Sequence, residues 1–378
     1  MKYVDEFRDP AVARELLASI RRCATKPWVV MEVCGGQTHS LLRNGIDTGL
    51  EGAVELIHGP GCPVCVTPAE AIDLACDLAR RPGVVVASFG DMLRVPGNRG
   101  SLLDVRALGG RVRTVYSPLD AVELARREPD RHVVFFAVGF ETTTPATALA
   151  VLQAYRHRLE NFSLLVAHVR VQPAMEAIMQ SDGCRVQGFL AAGHVCTVLG
   201  YESYVEFVER HRVPVVVTGF EPVDLLAGIL ECIEQLESRK FRVVNRYARS
   251  VRESGNLAAL EIIARVFEPA DRDWRGLGTI PAGGLRLRRE WSQFDAESRL
   301  GGIAREAACP TAECLSGQVL AGRIRPTACP SFGTRCTPDT PLGAPMVSSE
   351  GACAAYFRYR CTERIAIPLK PPAGAVKS

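Results

Sequence analysis

The sequence predicts an α/β protein: two parallel-sheet α/β units, then a mainly helical, loop-rich C-terminal domain. Three observations predict it. Short apolar, β-branched runs recur through the first 230 residues. Helical patterns fall between many of them, and strand alternating with helix implies parallel sheets. Beyond about residue 230 the strand rhythm stops, and prolines and cysteines accumulate.

The elements follow in order. MKYVDEFRDPAVARELLASI is charged and helix-like, so residues 1–25 form an N-terminal helical segment. The strand candidates are WVVMEV (28–33), AVELIH (53–58), GVVVAS (83–88), VRTVY (112–116), HVVFFAV (132–138), SLLVAH (163–168), VQGFLA (186–191) and VPVVVTG (213–219). Each reads as a buried strand. Helical patterns include PAEAIDLACDLARR (68–81), TPATALAVLQAYRHRLE (144–160) and SYVEFVERHR (203–212). Eight strands divide into two four-stranded units, 26–125 and 126–230. Helices over LLAGILECIEQLESRK (225–240) and NLAALEIIARVF (256–267) then lead through WRGLGTIPAGGL (274–285) into a cysteine-rich tail, giving a third domain, 231–378. Two strands run into Gly-Phe-Glu, at GFETTTP (139–145) and GFEP (219–222), and a third ends in SFGD (88–91). Such exits at the carboxyl ends of strands are where open α/β sheets collect ligands.

Composition excludes several classes. With 47% hydrophobic and 23% charged residues, the 378-residue chain is that of an ordinary globular protein. Its 45 basic and 42 acidic side chains nearly balance, and the basic ones are dispersed apart from short runs such as LRLRRE (285–290). Nucleic-acid binding is not indicated. No uninterrupted apolar segment marks a secretory signal or membrane span, so a cytoplasmic protein is expected. In a reducing compartment the 14 cysteines are not a disulfide framework. Buried thiols, metal or cluster ligands and redox chemistry must account for them.

Cys23, Cys76, Cys184, Cys196 and Cys232 are scattered singly in apolar or helical context and read as small buried hydrophobes. The rest form two groups. Cys34, Cys62 and Cys65 lie in glycine-rich loops; Cys309, Cys314, Cys329, Cys336, Cys353 and Cys361 crowd the last 70 residues. Within the tail, Cys314, Cys329, Cys336 and Cys353 have 14, 6 and 16 intervening residues. Four thiolates of one segment suit a [4Fe-4S] cluster or a structural zinc, and composition alone does not choose between them. In MEVCGGQTHS, Cys34 follows a strand and precedes a Gly-Gly turn and His39. Amides opening a helix can lower a thiol's pKa, and a nearby imidazole can act as base or ligand. GPGCPVC (59–65) sets Cys62 and Cys65 on a bend of two glycines and two prolines, with the geometry of a dithiol–disulfide couple or half a metal site. Glu141 in GFETTTP, Asp91 in SFGD, Glu350 in SSEGAC, and His168 and His194 near strand ends are further candidates.

Taken together, MEVCGGQTHS, GPGCPVCVTP, SFGDMLRVPG, GFETTTP, TGFEPVDLL, WRGLGTIPAGGL and MVSSEGACAAYF resemble the HypD family of [NiFe]-hydrogenase maturation proteins, from about residue 26 to 360. The resemblance implies a scaffold on which the Fe(CN)2CO group of the hydrogenase is assembled. It implies a monomer within a heterocomplex, bound to a HypC-type chaperone and supplied with cyanide by a HypE-type donor. Cys314, Cys329, Cys336 and Cys353 match the family's [4Fe-4S] ligands, which makes the C-terminal domain the carrier of an iron–sulfur cluster. Cys34 matches the essential thiol that holds the iron, and Cys62 and Cys65 match the redox-active pair. His39, Asp91, Glu141, His168 and Glu350 complete the expected site. The chain departs from the family at Gln37, where a histidine is usual, and at Ser316 and Pro345, where cysteines are common. The alternative from the residues alone is a free-standing [4Fe-4S]-dependent thiol–disulfide oxidoreductase.

Overall fold

The computed structural model describes residues 5–301 and 313–360. Its strands are β1 (Trp28–Glu32), β2 (Val54–His58), β3 (Val84–Ser88), β4 (Val112–Thr114), β5 (His132–Gly139), β6 (Phe162–His168), β7 (Gly188–Ala192), β8 (Val215–Thr218), β9 (Val243–Asn245), β10 (Phe267–Trp274) and β11 (Gly278–Leu287). Each of the eight expected apolar runs is a strand. The expected helices form too, at Ala69–Arg80, Thr144–Arg156, Tyr204–His211, Pro222–Ser238 and Leu257–Val266.

Two parallel sheets carry the fold, ordered β2-β1-β7-β8-β9 and β4-β3-β5-β6. Both faces of each are covered, which is why the strands read as continuous apolar runs rather than alternating ones. In the five-stranded sheet Val30, Leu56, Leu190 and Val216 face the core under the helix Pro222–Ser238. Their neighbours Met31, Ile57, Phe189 and Val217 face the opposite core. The four-stranded sheet splits likewise, with Val86, Val134 and Phe136 on one side and Ala87, Phe135 and Leu164 on the other.

The strands are not shared out in chain order. After β2 the chain leaves the first sheet, builds the second from β3 to β6, and returns when β7 pairs with β1 through Val30–Gly188, Met31–Phe189 and Glu32–Leu190. Periodicity reports that a segment is a strand but not which distant strand it joins, so the expected split near residue 125 does not describe the sheets. Gly188 lets that return pack closely, since a Cβ there would lie 2.5 Å from Cys232 Sγ.

Strand structure also continues beyond residue 230. β9 extends the first sheet, and β10 and β11 form an antiparallel hairpin across the WRGLGTIPAGGL segment. Prolines and glycines disguise the hairpin in sequence, yet they build it: Gly276 and Gly278 hold positive φ at the turn, and the register shifts between Ala270 and Arg272. Arg170 N–H donates to Gly283 O, so the hairpin covers the exit of β6. Its tip reaches the first unit, where Arg275 N–H donates to Val66 O and its guanidinium to Pro96 O. Among the described residues no helix is long and apolar enough to cross a membrane.

Candidate functional site

β1 delivers Cys34 to the rim of the five-stranded sheet. Cys34 is the N-cap residue of the helix Gly35–Arg43, in extended backbone, and its side chain makes no cap bond. Its Sγ instead lies 3.6 Å from His194 Nδ1, which enters from the end of β7 at the start of the helix Gly193–Leu199. Cys34 is only 2% exposed. Burial pushes its thiol well above the ordinary range, with the Glu32 and Glu350 charges adding to the effect. Burial lowers His194 to about 4. Near neutral pH the pair is thus a thiol facing a neutral imidazole.

The loop after β2 is pressed against this residue. Gly35 N–H donates to Gly61 O at 2.9 Å, and a Cβ on Gly61 would lie 2.4 Å from Cys34 N. Only glycine admits that approach. Cys62 then caps the one-turn helix Pro63–Val66, which contains Cys65. Both are buried and free, and Cys65 Sγ lies 3.9 Å from Ala344 O. Burial, the adjoining Cys62 and the charges of Cys353 and Glu350 hold the Cys65 thiol far above its usual range.

A segment from the C-terminal part closes the rim. Gly35 sits under Glu350, since a Cβ there would be 2.2 Å from Glu350 O. Ser348 Oγ donates to Asp91 Oδ2 at 3.4 Å, and Arg94 donates to Val347 O. Glu350 keeps part of its surface in solvent, yet the packing around it and the Asp91 charge raise its carboxyl above the ordinary range. Cys353 follows on the helix Ala352–Arg360. Cys314, Cys329, Cys336 and Cys353 all line one pocket, walled by Phe332 and Leu342. Gly343 is another close approach, 2.4 Å from Cys314 Sγ if it carried a Cβ, and Leu342 N–H donates to Cys336 Sγ. Ser316 and Pro345 line this pocket as well. Among the described residues no three His, Cys, Asp or Glu side chains converge closely enough to hold a single metal ion. Cys309 and Cys361 lie outside the described residues.

The other expected residues divide. His39 turns to the helix Ala352–Arg360, where the Tyr359 hydroxyl meets its Nε2 at 2.9 Å. Gln37 is fully buried; its Nε2 donates to Ala191 O at 3.1 Å and to Thr218 Oγ1 at 2.6 Å, tying the first helical turn to the ends of β7 and β8. Glu141 and His168 stay within the four-stranded unit. Glu141 Oε1 accepts from Val171 N–H at 3.1 Å, and burial raises its carboxyl to about 7. His168 Nε2 meets Thr147 Oγ1 at 3.1 Å, with burial lowering it to about 4. None of these contacts reaches the candidate cysteines.

Three residues at the rim escaped sequence reasoning. Glu32, fully buried, accepts from Cys34 N–H at 2.8 Å, from the Thr38 hydroxyl, and contacts His58 Nδ1 at 2.7 Å. His58 Nε2 in turn meets Tyr356 OH at 3.1 Å. The available signal was a charged residue inside the apolar run WVVMEV, matched by a histidine ending AVELIH, because such groups survive burial only when paired.

The comparisons with known proteins cover nearly the whole chain. The HypD family model, described as the hydrogenase formation hypA family, matches residues 11–360. The hydrogenase maturation factor HypD of Rhodobacter capsulatus is 49% identical over 370 residues, covering 95% of this chain and 98% of that protein. The HypD of Azotobacter vinelandii is 48% identical over 368 residues, covering 95% and 97%. That of Escherichia coli K12 is 43% identical over 371 residues, covering 96% and 99%. A match of this extent leaves no part of the rim outside it, and the chain belongs to the HypD family of hydrogenase maturation factors.

Proposed function

We propose that the protein is a redox-active scaffold on which the Fe(CN)2CO group of a [NiFe]-hydrogenase is assembled, working with a HypC-type chaperone and a HypE-type cyanide donor. The observation that carries the reading is the meeting at one rim of Cys34, the Cys62–Cys65 pair and the segment leading to Cys353. Cys34 thiolate holds the incoming iron as cargo, and His194 takes the thiol proton. Soft thiolate ligation suits low-spin iron better than an oxygen-rich site would. Cys62 and Cys65 release two electrons and two protons for each disulfide they form, a supply that building diatomic ligands on iron calls for.

Cys314, Cys329, Cys336 and Cys353 fit a resident [4Fe-4S] cluster. The donor set is all thiol, and the four cysteines line one pocket. Such a cluster supplies one-electron transfer when bound. The glycine at position 343 leaves room for the Cys314 sulfur, and the Leu342 N–H steadies the Cys336 sulfur.

Burial bears on the competing reading, a free-standing thiol–disulfide oxidoreductase. Cys62 is 3% and Cys65 1% exposed, so a soluble disulfide reaches either only after local opening, just as iron reaches the 2% exposed Cys34. The deciding experiment is an infrared spectrum of anaerobically purified protein with its HypC-type partner. Cyanide and carbonyl bands that vanish in Cys34→Ala, with cluster content unchanged, are the expected result. Retained bands in that variant would remove Cys34 as the iron ligand. Rapid turnover of a generic disulfide by the isolated protein would favour the oxidoreductase.

A further inference from the structure

We propose that Tyr356, His58 and Glu32 form a positioning relay that holds Cys34 from the helix bearing Cys353. The relay crosses three elements. Glu32 ends β1, His58 ends β2, and Tyr356 stands three residues after Cys353 on the helix Ala352–Arg360. All three are buried, at 0%, 3% and 5% exposure. The Cys34 N–H and the Thr38 hydroxyl donate to the Glu32 carboxyl group, and His58 Nδ1 lies 2.7 Å from the same group. His58 thereby presents Nε2 to the Tyr356 hydroxyl, whose ring stands edge-on to the imidazole at 5.2 Å. One end of the relay is the backbone N–H of the site thiol itself; the other is one helical turn from a cluster cysteine.

The same helix carries an internal comparison. Tyr359 bonds His39 at 2.9 Å in a similar edge-on pair, at 5.1 Å, but that pair docks the helix without joining Glu32. Removing either hydroxyl takes away one tyrosine–histidine bond. Only the loss at Tyr356 passes to the Glu32 carboxylate that fixes Cys34.

The inference rests on the reading of Cys34 as the site thiol, but its test needs no iron. Cys34 is buried, so its alkylation requires local opening, and the rate of labelling reads how firmly the residue is held. Full-length protein, purified anaerobically, is treated with iodoacetamide and Cys34 labelling is followed by peptide mass analysis, with iron and sulfide measured on the same samples. Tyr356→Phe is expected to label Cys34 about fivefold faster, the loss of one buried hydrogen bond, while Tyr359→Phe labels at the parent rate. His58→Asn cuts the relay at its middle, with the Tyr356 side chain itself intact, and is expected to accelerate labelling as well. Equal acceleration in Tyr356→Phe and Tyr359→Phe overturns the relay, because helix docking alone would then explain it. So does an unchanged rate in both Tyr356→Phe and His58→Asn. Failure of the Cys34 reading itself shows separately, as hydrogenase maturation that survives Cys34→Ala.

Discussion

His39 and His194 compete for the role beside Cys34, and helix geometry decides between them. His39 lies five residues on, which at about 100° per residue turns it roughly 140° around the helix. His194, 160 positions away, reaches the sulfur because β7 returns beside β1. The cysteines were legible because their spacing and glycine-rich surroundings are chemical signals in themselves; their partners were not, because a partner is set by pairing across the sheet. Two outcomes follow from individual side chains. Cys329→Ala or Cys336→Ala should lose iron, sulfide and thermal stability together, since ligation contributes folding energy. Intact cluster absorption in either variant would refute the ligand assignment. Gln37→Ala should cost about 2 kcal/mol in urea unfolding, because the Ala191 carbonyl and Thr218 hydroxyl lose their buried donor. A change under about 0.5 kcal/mol would mean that the amide clamp does not hold the first turn.

Loops and helix starts, rather than the strands, bring the chemistry together. The GPGCPVC turn looked like a pre-set bend in sequence, and it is one, but its function in the fold is to lie against the Cys34 backbone. Gly61→Ala places a Cβ 2.4 to 2.6 Å from three backbone atoms of Cys34. Backbone cannot step aside as a side chain can, so this variant should lose about 2 kcal/mol or more and label Cys34 and Cys62 faster. Gly90→Ala is the matched control, its nearest neighbour being Thr114 Cγ2 at 3.7 Å, and its melting curve should overlay the parent. If the two variants melt alike, the close approach is not tight. The β10–β11 hairpin shows the opposite limit of reading. Its prolines and glycines signal a loop by composition, and only the pairing of Phe267 with Leu287 and Trp274 with Gly278 makes it a hairpin.

Across the fold, buried titratable groups give stability a defined pH dependence. His132, His168 and His194 fall to about 4 from an ordinary 6.5, chiefly through burial. Unfolding therefore takes up as many as three protons between about pH 4 and 6.5, and stability rises with pH through that window. Glu141 opposes them: its carboxyl goes from an ordinary 4.5 to about 7, so the native state holds the proton and stability falls as pH rises between those values. The histidines outnumber it, so the urea midpoint should be higher at pH 6.5 than at pH 5, and Glu141→Gln should steepen the rise. A flat profile in both proteins would contradict the burial of these groups. Strand and helix positions, the two cysteine groups and the family were all readable from the chain, because period, turn chemistry and motif wording are local properties. Which strands share a sheet, that β7 carries His194 to Cys34, and that Glu32, His58 and Tyr356 join are decided by contacts between segments far apart in the chain. Those contacts exist only once the sheets have closed, which is why no local pattern announces them.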